Sequence, residues 1–277
     1  MCMKYLIIDA TNLLYRTWHV TQRAPADILI LTYLRSIRKY INMFSPDVCY
    51  SVSDKRLVHG VKNYRRQNED YKQNRDKSLW KYVHESEDVI EQLTTHLGII
   101  NMFPGILEAD DVIAYLCKTL QGHKTIVSTD NDMAQLIDET TQLYSPVKKI
   151  TITHENFTEH FPVCREKYLL YKSIVGDAAD NIKGLPGYGK VKAKRLAENY
   201  DTEYVNLNEN LKNILSNNMD LVNLSQGLNK HPEERDLYKQ QMSKSSMQNF
   251  DSFFNMCKQL QMNSVLADSD SWKCLLK

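Results

Sequence analysis

Three short apolar segments of this chain each end at an aspartate, and this recurrence constrains the fold more than any other feature. The segments are KYLIID, VCYSVSD and TIVSTD, which end at Asp9, Asp54 and Asp130. Helical patterns lie between them, over about residues 25–43 and 85–97. Strands that alternate with helices predict an α/β fold with a central, mostly parallel sheet flanked by helices. Ligands of such sheets bind beyond the carboxyl ends of the strands, so we expect the three aspartates at one edge.

The segment EADD, residues 108–111, places three carboxylates within four positions at the start of a predicted helix. One acidic side chain is enough to cap a helix N-terminus and to complement its dipole. The excess predicts that these carboxylates face a positive charge. Glu108 and Asp111 share one face of the helix through their i, i+3 spacing, while Asp110 points elsewhere. We therefore expect at least one of the three to bind an ion through water.

Further acids follow the same pattern. Asp132 lies two residues beyond Asp130, and Asp177 and Asp180 in GDAADN have the spacing that places both on one face of a helix. The candidate metal site thus comprises nine residues: Asp9, Asp54, Glu108, Asp110, Asp111, Asp130, Asp132, Asp177 and Asp180. Each aspartate alone is equally well a turn residue or a helix cap, but chance explains the whole set poorly.

Carboxylates packed this closely repel one another, and their burial without counter-charge is prohibitive. The arrangement therefore requires cations. Oxygen ligands without a cluster of histidine or cysteine favour Mg²⁺, with Mn²⁺ as a substitute, over zinc. The number of acids predicts two ions, which lie about 3.5–4 Å apart in catalytic pairs that act on phosphodiesters.

The composition excludes several classes of protein. A chain of 277 residues with 42% hydrophobic and 25% charged residues is ordinary for a soluble globular protein. No apolar run approaches the roughly 18 residues of a membrane span, and no signal peptide is recognisable. The six scattered cysteines predict reduced thiols and a cytoplasmic protein, rather than disulfides or a zinc site.

The net charge is only +1, but the basic residues are segregated from the acids. Residues 62–81 contain seven basic residues against three acidic ones, and residues 181–197 contain five basic residues and no acid. Such segregation suits a protein that grips a polyanion and also holds metal ions, although either run alone is equally well a solvated helix face. Residues 55–84 form too long a connection for a compact domain, which is typical of a functional loop.

The segment KGLPGYGK, residues 183–190, predicts a tight turn between two helices. Gly187 and Gly189 let the backbone approach a ligand closely, and the N–H groups from Gly189 onward form an anion site at the next helix N-terminus. Lys190 and Lys192 would add a sequence-independent grip on phosphates. A plain turn with a C-cap glycine is the alternative, but the cations that follow favour a helix–hairpin–helix that binds DNA.

Five segments of this chain resemble the metal-dependent 5′ nucleases: LIIDATNLLYR, YKQNR, EADDVIAYL, STDNDMAQLI and GDAADNIKGLPGYGKVKA. This family includes flap endonucleases, the 5′→3′ exonuclease domain of bacterial DNA polymerase I and standalone phage 5′ exonucleases, some described as ribonuclease H. The segments occur in the family's order and span most of residues 4–200. The resemblance implies a PIN-like core over residues 1–172 with a helical arch at 55–84, and a C-terminal helical region over 173–277 with a DNA-binding hairpin at 183–190.

The resemblance also implies roles for individual residues. The nine acids match metal positions, with Asp130 among the catalytic ones, and the hairpin matches one that binds K⁺. Lys72 and Arg75 match arch residues that contact the scissile phosphate, and Tyr71 matches an aromatic residue that stacks on a terminal base. Arg65 and Arg66 stand seven and six residues before Lys72, where the family has an arginine about eight residues before it. We therefore count both as candidate nucleic-acid contacts.

We expect a monomeric 5′→3′ exonuclease or flap endonuclease that acts by a two-metal mechanism in primer removal or repair. The expected substrates are 5′ flaps, nicked or gapped DNA duplexes and RNA–DNA hybrids, with ribonuclease H activity left open. A replication single-strand-binding protein is a candidate partner, no membrane is expected, and a phage is a candidate source.

Two other classes of function remain as alternatives. A non-catalytic helix–hairpin–helix DNA-binding protein would need no acid cluster. A phosphatase with Asp9 as its nucleophile would need an acid two residues later, where Thr11 stands.

Overall fold

The computed structural model describes residues 2–21, 24–55, 63, 65, 68, 70–73, 80–244 and 247–276. Within these residues a six-stranded sheet has the order β3-β2-β1-β4-β5-β6, in which all neighbours are parallel except the pair β5–β6. The strands are β1 (Lys4–Asp9), β2 (Val48–Val52), β3 (Ile100–Met102), β4 (His123–Val127), β5 (Thr141–Ser145) and β6 (Ile150–Ile152). The mostly parallel sheet flanked by helices confirms the predicted fold class.

Helices cover both faces of this sheet and continue to the C-terminus. The helices are α1 (Ala10–Val20), α2 (Ala26–Phe44), α3 (Trp80–His96), α4 (Ala109–Thr119), α5 (Phe157–His160), α6 (Arg165–Val175), α7 (Lys190–Glu198), α8 (Tyr200–Glu203), α9 (Glu209–Val222), α10 (Gln226–Lys230), α11 (Glu234–Met242), α12 (Phe250–Gln259), α13 (Asn263–Leu266) and α14 (Ser269–Lys273). Among the described helices, none is both long and apolar enough to cross a membrane.

The alternation of side chains along β1 divides the core into two layers. Leu6 and Ile8 pack into a cluster with α1, α2 and α3, whereas Ile7 packs into the cluster on the opposite face with α4. All three side chains are fully buried, as expected for a central parallel strand that is covered on both faces. Both faces of β1 are therefore covered, and Asp9 lies at its carboxyl end, at the edge of the sheet.

The C-terminal helices pack onto the same core as the N-terminal ones. Phe253 of α12 and Trp272 of α14 are buried in the cluster that contains Leu6 and Ile8. The predicted domain boundary between residues 172 and 173 falls inside α6, which continues without a break to Val175. A division of the chain into 1–172 and 173–277 stays a prediction, and the end of α6 is its nearest physical break.

The segment GDAADN differs from its prediction. It does not continue a helix but forms a small hairpin of two short strands, β7 (Gly176–Asp177) and β8 (Ile182–Lys183). Gly176 has a φ of 80°, and a Cβ there would lie 2.4 Å from backbone atoms of Ile182 and Gly184, so only glycine fits. The carboxylate of Asp177 caps the turn by accepting from the N–H of Ala179 at 2.8 Å.

Candidate metal centre

Side chains from adjacent strand ends meet the start of α4 at the carboxyl edge of the sheet. Asp9 accepts hydrogen bonds from the N–H of Asn12 at 3.2 Å and from the hydroxyl of Ser128, just beyond β4, at 2.7 Å. Asp54, two residues beyond β2, accepts from the N–H of Ala109 at 2.9 Å. The parallel topology thus brings the ends of β1, β2 and β4 and the start of α4 to the same edge of the sheet.

Asp110 and Asp130 complete this group, and we call Asp9, Asp54, Asp110 and Asp130 the acid cluster. Asp130 caps a short 3-10 helix by accepting from the N–H of Asp132 at 2.8 Å. Burial raises the pKa of Asp110 well above its ordinary value, and the charges of Asp130, Asp9 and Asp54 raise it further. Burial raises the pKa of Asp130 as well. Of the three EADD carboxylates, Asp110 is the one that faces the strand ends.

The carboxylates of Asp9 and Asp132 are costly to ionise in this environment. Burial raises the pKa of Asp9 to about 7, against the opposing hydrogen bond from Ser128. Burial and the charge of Asp130 raise the pKa of Asp132 to about 7 as well, although Lys172 opposes the shift. A divalent cation beside these carboxylates would lower their pKa values and favour their ionised forms.

A lysine that the sequence analysis did not select bridges the other predicted acids. The Nζ of Lys172 on α6 lies 2.7 Å from Asp132 Oδ1 and 2.5 Å from Asp177 Oδ2. Although burial opposes ionisation of Asp177, this contact lowers its pKa. The only signal in the sequence was a lysine five residues before Asp177, and nothing local distinguishes it from a surface lysine of α6.

Lys72 is a second lysine that contacts the predicted acids. Its Nζ donates to Glu108 Oε2 at 2.9 Å and lies 3.8 Å from Asp180 Oδ2, while its backbone N–H donates to the carbonyl of Asp180 at 3.0 Å. Burial opposes ionisation of Glu108, but Lys72, Arg65 and the hydroxyl of Tyr71 together lower its pKa to about 2. The predicted phosphate-contacting lysine therefore lies beside the acids.

Tyr71 is buried and contacts two of the predicted acids. The side chain is 5% exposed, and its hydroxyl donates to Glu108 Oε2 at 3.0 Å. Asp180 Oδ2 lies 3.3 Å from the same hydroxyl. A buried hydrogen bond thus orients the ring toward the acids. Stacking of Tyr71 on a terminal base stays a prediction.

Asp111 and Arg65, two further predicted site residues, contact each other. The two oxygens of Asp111 lie 2.6 and 2.8 Å from the guanidinium nitrogens of Arg65. Asp111 is 0% exposed and Arg65 is 1% exposed. The two residues thus form a buried, bidentate ion pair. Their roles as a metal ligand and a nucleic-acid contact stay predictions.

The glycine-rich turn has an open side and a packed side. Gly187 has a φ of 81°, and a Cβ at Gly187 or Gly189 would meet nothing within 4 Å. Gly189 precedes α7, whose first residues include the exposed Lys190 and Lys192. On the packed side, the N–H of Leu185 donates to the last turn of α6 at 2.8 Å. The predicted contacts Arg66 and Arg75 lie outside the described residues.

The donor chemistry of the site fits hard divalent cations, since every candidate donor is a carboxylate oxygen and burial raises the pKa values of Asp9, Asp110 and Asp132. In the part of the chain that the structure describes, no three acidic, histidine or cysteine side chains already close around one point. Repulsion between carboxylates and their pairing with Lys72 and Lys172 account for this spacing.

We expect the metal-free protein to lose stability as the pH rises from about 5 to about 8. In the folded protein the pKa values of Asp9 and Asp132 are about 7, above their ordinary value of 3.8. The folded state therefore holds more protons than the unfolded state between these values, so a rising pH favours unfolding. Melting temperatures in EDTA at both pH values test this, and a higher melting temperature at the upper pH would contradict it. With Mg²⁺ the dependence should reverse, because metal binding requires deprotonated carboxylates.

The sequence matches the family model of the 5′-3′ exonuclease N-terminal, resolvase-like domain over residues 4–162. The flap endonuclease Xni of Vibrio atlanticus is 31% identical over 218 residues, which cover 76% of this chain and 83% of that protein. The 5′-3′ exonuclease of Mycoplasmopsis pulmonis is 28% identical over 209 residues, which cover 71% of this chain and 67% of that protein.

Solved structures share the fold at lower identity. The 5′-exonuclease of phage T5 with bound zinc ions has a TM-score of 0.68 at 20% identity, over 94% of this chain and 98% of that chain. The catalytic core of Rad2 in complex with a DNA substrate has a TM-score of 0.52 at 17% identity, over 93% of this chain and 88% of that chain. The family model spans more than half of the sequence. The chain therefore belongs to the metal-dependent 5′ nuclease family, the hydrolytic 5′-3′ exonucleases and flap endonucleases.

Proposed function

We propose that this 5′ nuclease hydrolyses a phosphodiester near the 5′ end of a strand in flapped, nicked or gapped DNA, with two Mg²⁺ ions as cofactors. The observation that carries the proposal is the acid cluster at the edge of the sheet, in which burial and neighbouring carboxylates raise the pKa values of Asp9, Asp110 and Asp130. RNA–DNA hybrids present the same phosphodiester and are included among the proposed substrates. A replication single-strand-binding protein remains a candidate partner.

Two groups of residues would hold the ions. The acid cluster would hold the first, and the second would lie toward Asp132, Asp177 and Asp180, where Lys172 now supplies charge. When bound, the pair would lower the pKa of an attacking water and stabilise the leaving 3′-oxygen. Asp111 is omitted because Arg65 occupies both of its oxygens.

Lys72 would act on the phosphate itself. Its ammonium already lies 2.9 Å from Glu108, at the border of the acid cluster. A scissile phosphate that arrives there offers this ammonium non-bridging oxygens, on which negative charge develops in the transition state. Arg75 keeps its proposed role as the second cation of the arch.

The glycine-rich turn would hold the duplex away from the cut. The open surface over Gly187 and Gly189 lets a phosphate approach the backbone, and the N-terminus of α7 favours negative charge. Backbone carbonyls of residues 183–190 are the proposed ligands of a K⁺ ion near that phosphate. Because the duplex would be bound at a fixed distance from the acid cluster, this contact would determine which phosphodiester is cut.

A cleavage assay tests the proposal directly. Flap, nicked-duplex and RNA–DNA substrates with a 5′ label are incubated with the protein in Mg²⁺, in Mn²⁺ and in EDTA. We expect short labelled products in both metals and none in EDTA. Intact substrates in both metals, together with tight binding of the duplex, would overturn the proposal and favour the non-catalytic DNA-binding alternative.

We expect the double variant Lys190→Met/Lys192→Met to weaken DNA binding uniformly across sequences. Each lost phosphate contact should reduce the slope of log Kd against log salt by about one. The measurement is fluorescence anisotropy with a flap duplex in Ca²⁺ over a range of salt. Lys4→Met/Lys118→Met is the matched control, because β1 starts and α4 ends at the opposite edge of the sheet. An equal change of slope in both variants would contradict a grip by the hairpin.

A further inference from the structure

Arg65 joins three parts of the molecule at one buried point. Besides its two contacts with Asp111 at the start of α4, its Nε donates to the carbonyl of Leu221 at 3.1 Å. Its Nη2 also donates to the carbonyl of Asn223 at 3.3 Å, just beyond the end of α9. Arg65 itself belongs to the segment that leads to Lys72. One guanidinium therefore links this segment, the metal-site helix and the C-terminal helical region.

Asp111 connects Arg65 to the acid cluster through the first turn of α4. The backbone N–H of Glu108 donates to Asp111 Oδ2 at 3.1 Å, and Arg65 Nη1 lies 3.5 Å from Glu108 Oε2. The next residue, Ala109, donates its N–H to Asp54. The first turn of α4, which carries Glu108 and Asp110, is thus held through Arg65 on one side and Asp54 on the other.

The junction has little room to rearrange. Gly227 of α10 packs against it, and a Cβ at that position would lie 2.4 Å from Asp111 Oδ1. A bidentate arginine–carboxylate pair also fixes orientation, since two parallel hydrogen bonds allow no rotation about the contact. Lysine keeps the charge but offers no planar fork, so it cannot make the Asp111 and main-chain contacts together.

We infer that Arg65 is a positioning residue for cleavage, acting through Asp111 and the first turn of α4, and not a contact of the DNA. The inference rests on the proposed nuclease function. Arg65 holds Glu108 and Asp110 at a fixed position relative to Lys72, so that the acids and the phosphate-contacting cation face the same phosphate. Its link to α9 makes that position depend on the C-terminal region that would grip the duplex.

Two variants separate this inference from a phosphate contact: Arg65→Lys keeps the charge, and Arg65→Met removes it. We expect single-turnover cleavage of a 5′-labelled flap by Arg65→Lys to slow by about tenfold or more, as expected when reacting groups are misplaced. The Kd of Arg65→Met for the same flap in Ca²⁺ should stay within about twofold, with an unchanged dependence on salt. Arg38→Lys is the matched control, because Arg38 also pairs with a carboxylate, Asp268, at 2.6 Å, but on the surface of α2. Its rate and Kd should equal those of the unmodified protein.

A double-mutant cycle with Asp111→Asn, which keeps the shape of the side chain, tests whether Arg65 acts through Asp111. If Arg65 acts through Asp111, the double variant Arg65→Lys/Asp111→Asn should cut no more slowly than the slower single variant. Rate losses that multiply would show independent roles and overturn the inference. The Mg²⁺ concentration that gives half of the rise in melting temperature provides a readout without cleavage, and it should increase severalfold in each single variant.

The outcomes distinguish the two proposals. A weaker flap affinity with a smaller salt slope in Arg65→Met would make Arg65 a phosphate contact and reject the inference, as would an unchanged cleavage rate in Arg65→Lys. If the unmodified protein cuts no substrate, the proposed function fails, while the Mg²⁺ midpoints still report whether Arg65 positions the acids. Should Arg65→Lys fail to fold, the Asp111→Asn variant alone must show the slower cleavage with unchanged affinity.

Discussion

Replacing Asp130 with asparagine should slow flap cleavage in Mg²⁺ by about 10³-fold or more, and should raise the melting temperature of the metal-free protein. The first effect is expected if Asp130 holds a catalytic ion, as proposed, because such an ion supplies several kcal/mol of transition-state stabilisation, at about 1.4 kcal/mol per factor of ten. The two effects would have opposite directions because the same carboxylate would serve catalysis and oppose folding.

The stabilisation arises from repulsion within the acid cluster. Burial raises the pKa of Asp130, and the charge of Asp180 raises it further. Asp130 in turn raises the pKa of Asp110 and of Asp9. An asparagine keeps the acceptor that caps the 3-10 helix at Asp132 but removes the charge. The metal-free protein therefore loses a source of repulsion and little packing.

Single-turnover cleavage and thermal melting in EDTA at about pH 8 measure the two effects on one preparation. Asp138→Asn is the matched control, because Asp138 also caps a turn, by accepting from the N–H of Thr140 at 2.8 Å. Its pKa is lowered, since the hydrogen bonds from Thr140 outweigh partial burial, so its charge stabilises the fold. The control should cut normally and melt at a lower temperature. Unaltered cleavage by Asp130→Asn would refute the metal assignment.

The meeting of Asp9 and Asp54 at one edge of the sheet could be predicted from the sequence, because it depends on the alternation of side chains and on strand topology. The run through Leu6, Ile7 and Ile8 predicts a strand buried on both faces, and parallel order then brings Asp9 and Asp54 to one edge. The excess acids of EADD predicted a partner of positive charge. The structure supplies two such partners, Lys72 for Glu108 and Arg65 for Asp111.

The individual roles could not be predicted in the same way, because they depend on contacts between distant segments. Arg65 meets Asp111 only through the packing of its segment against α4 and α9, and no local pattern indicates that encounter. Lys172 lies in an ordinary helix and acquires its role from Asp132, far from it in sequence. The spacing of Asp177 and Asp180 predicted a helix face, but glycine at position 176 turns the chain into a hairpin instead.

Replacing Arg65 with methionine should destabilise the protein by about 3–5 kcal/mol, because it leaves the carboxylate of Asp111 buried without its cation. For a chain of this size, that loss corresponds to a decrease in melting temperature of about 6–20 °C. Burial already raises the pKa of Asp111 despite the opposing charge of Arg65. Without Arg65 the pKa rises further, so ionisation opposes folding more strongly as the pH increases. The deficit should therefore be larger at about pH 8 than at about pH 5, which a loss of packing alone would not produce.

The double variant Arg65→Met/Asp111→Leu separates charge from shape. With both charges removed and apolar side chains of similar volume in their place, the melting temperature should recover most of the loss, since a buried ion pair often adds little net stability. Arg38→Met is the control for removing an arginine from a partly exposed pair, and it should cost about 1 kcal/mol or less. If the double variant recovers its melting temperature but still cuts slowly, the pair serves to position the acids rather than to hold the fold. A double variant as unstable as Arg65→Met would instead show that Arg65 stabilises the protein through its contacts with Leu221 and Asn223.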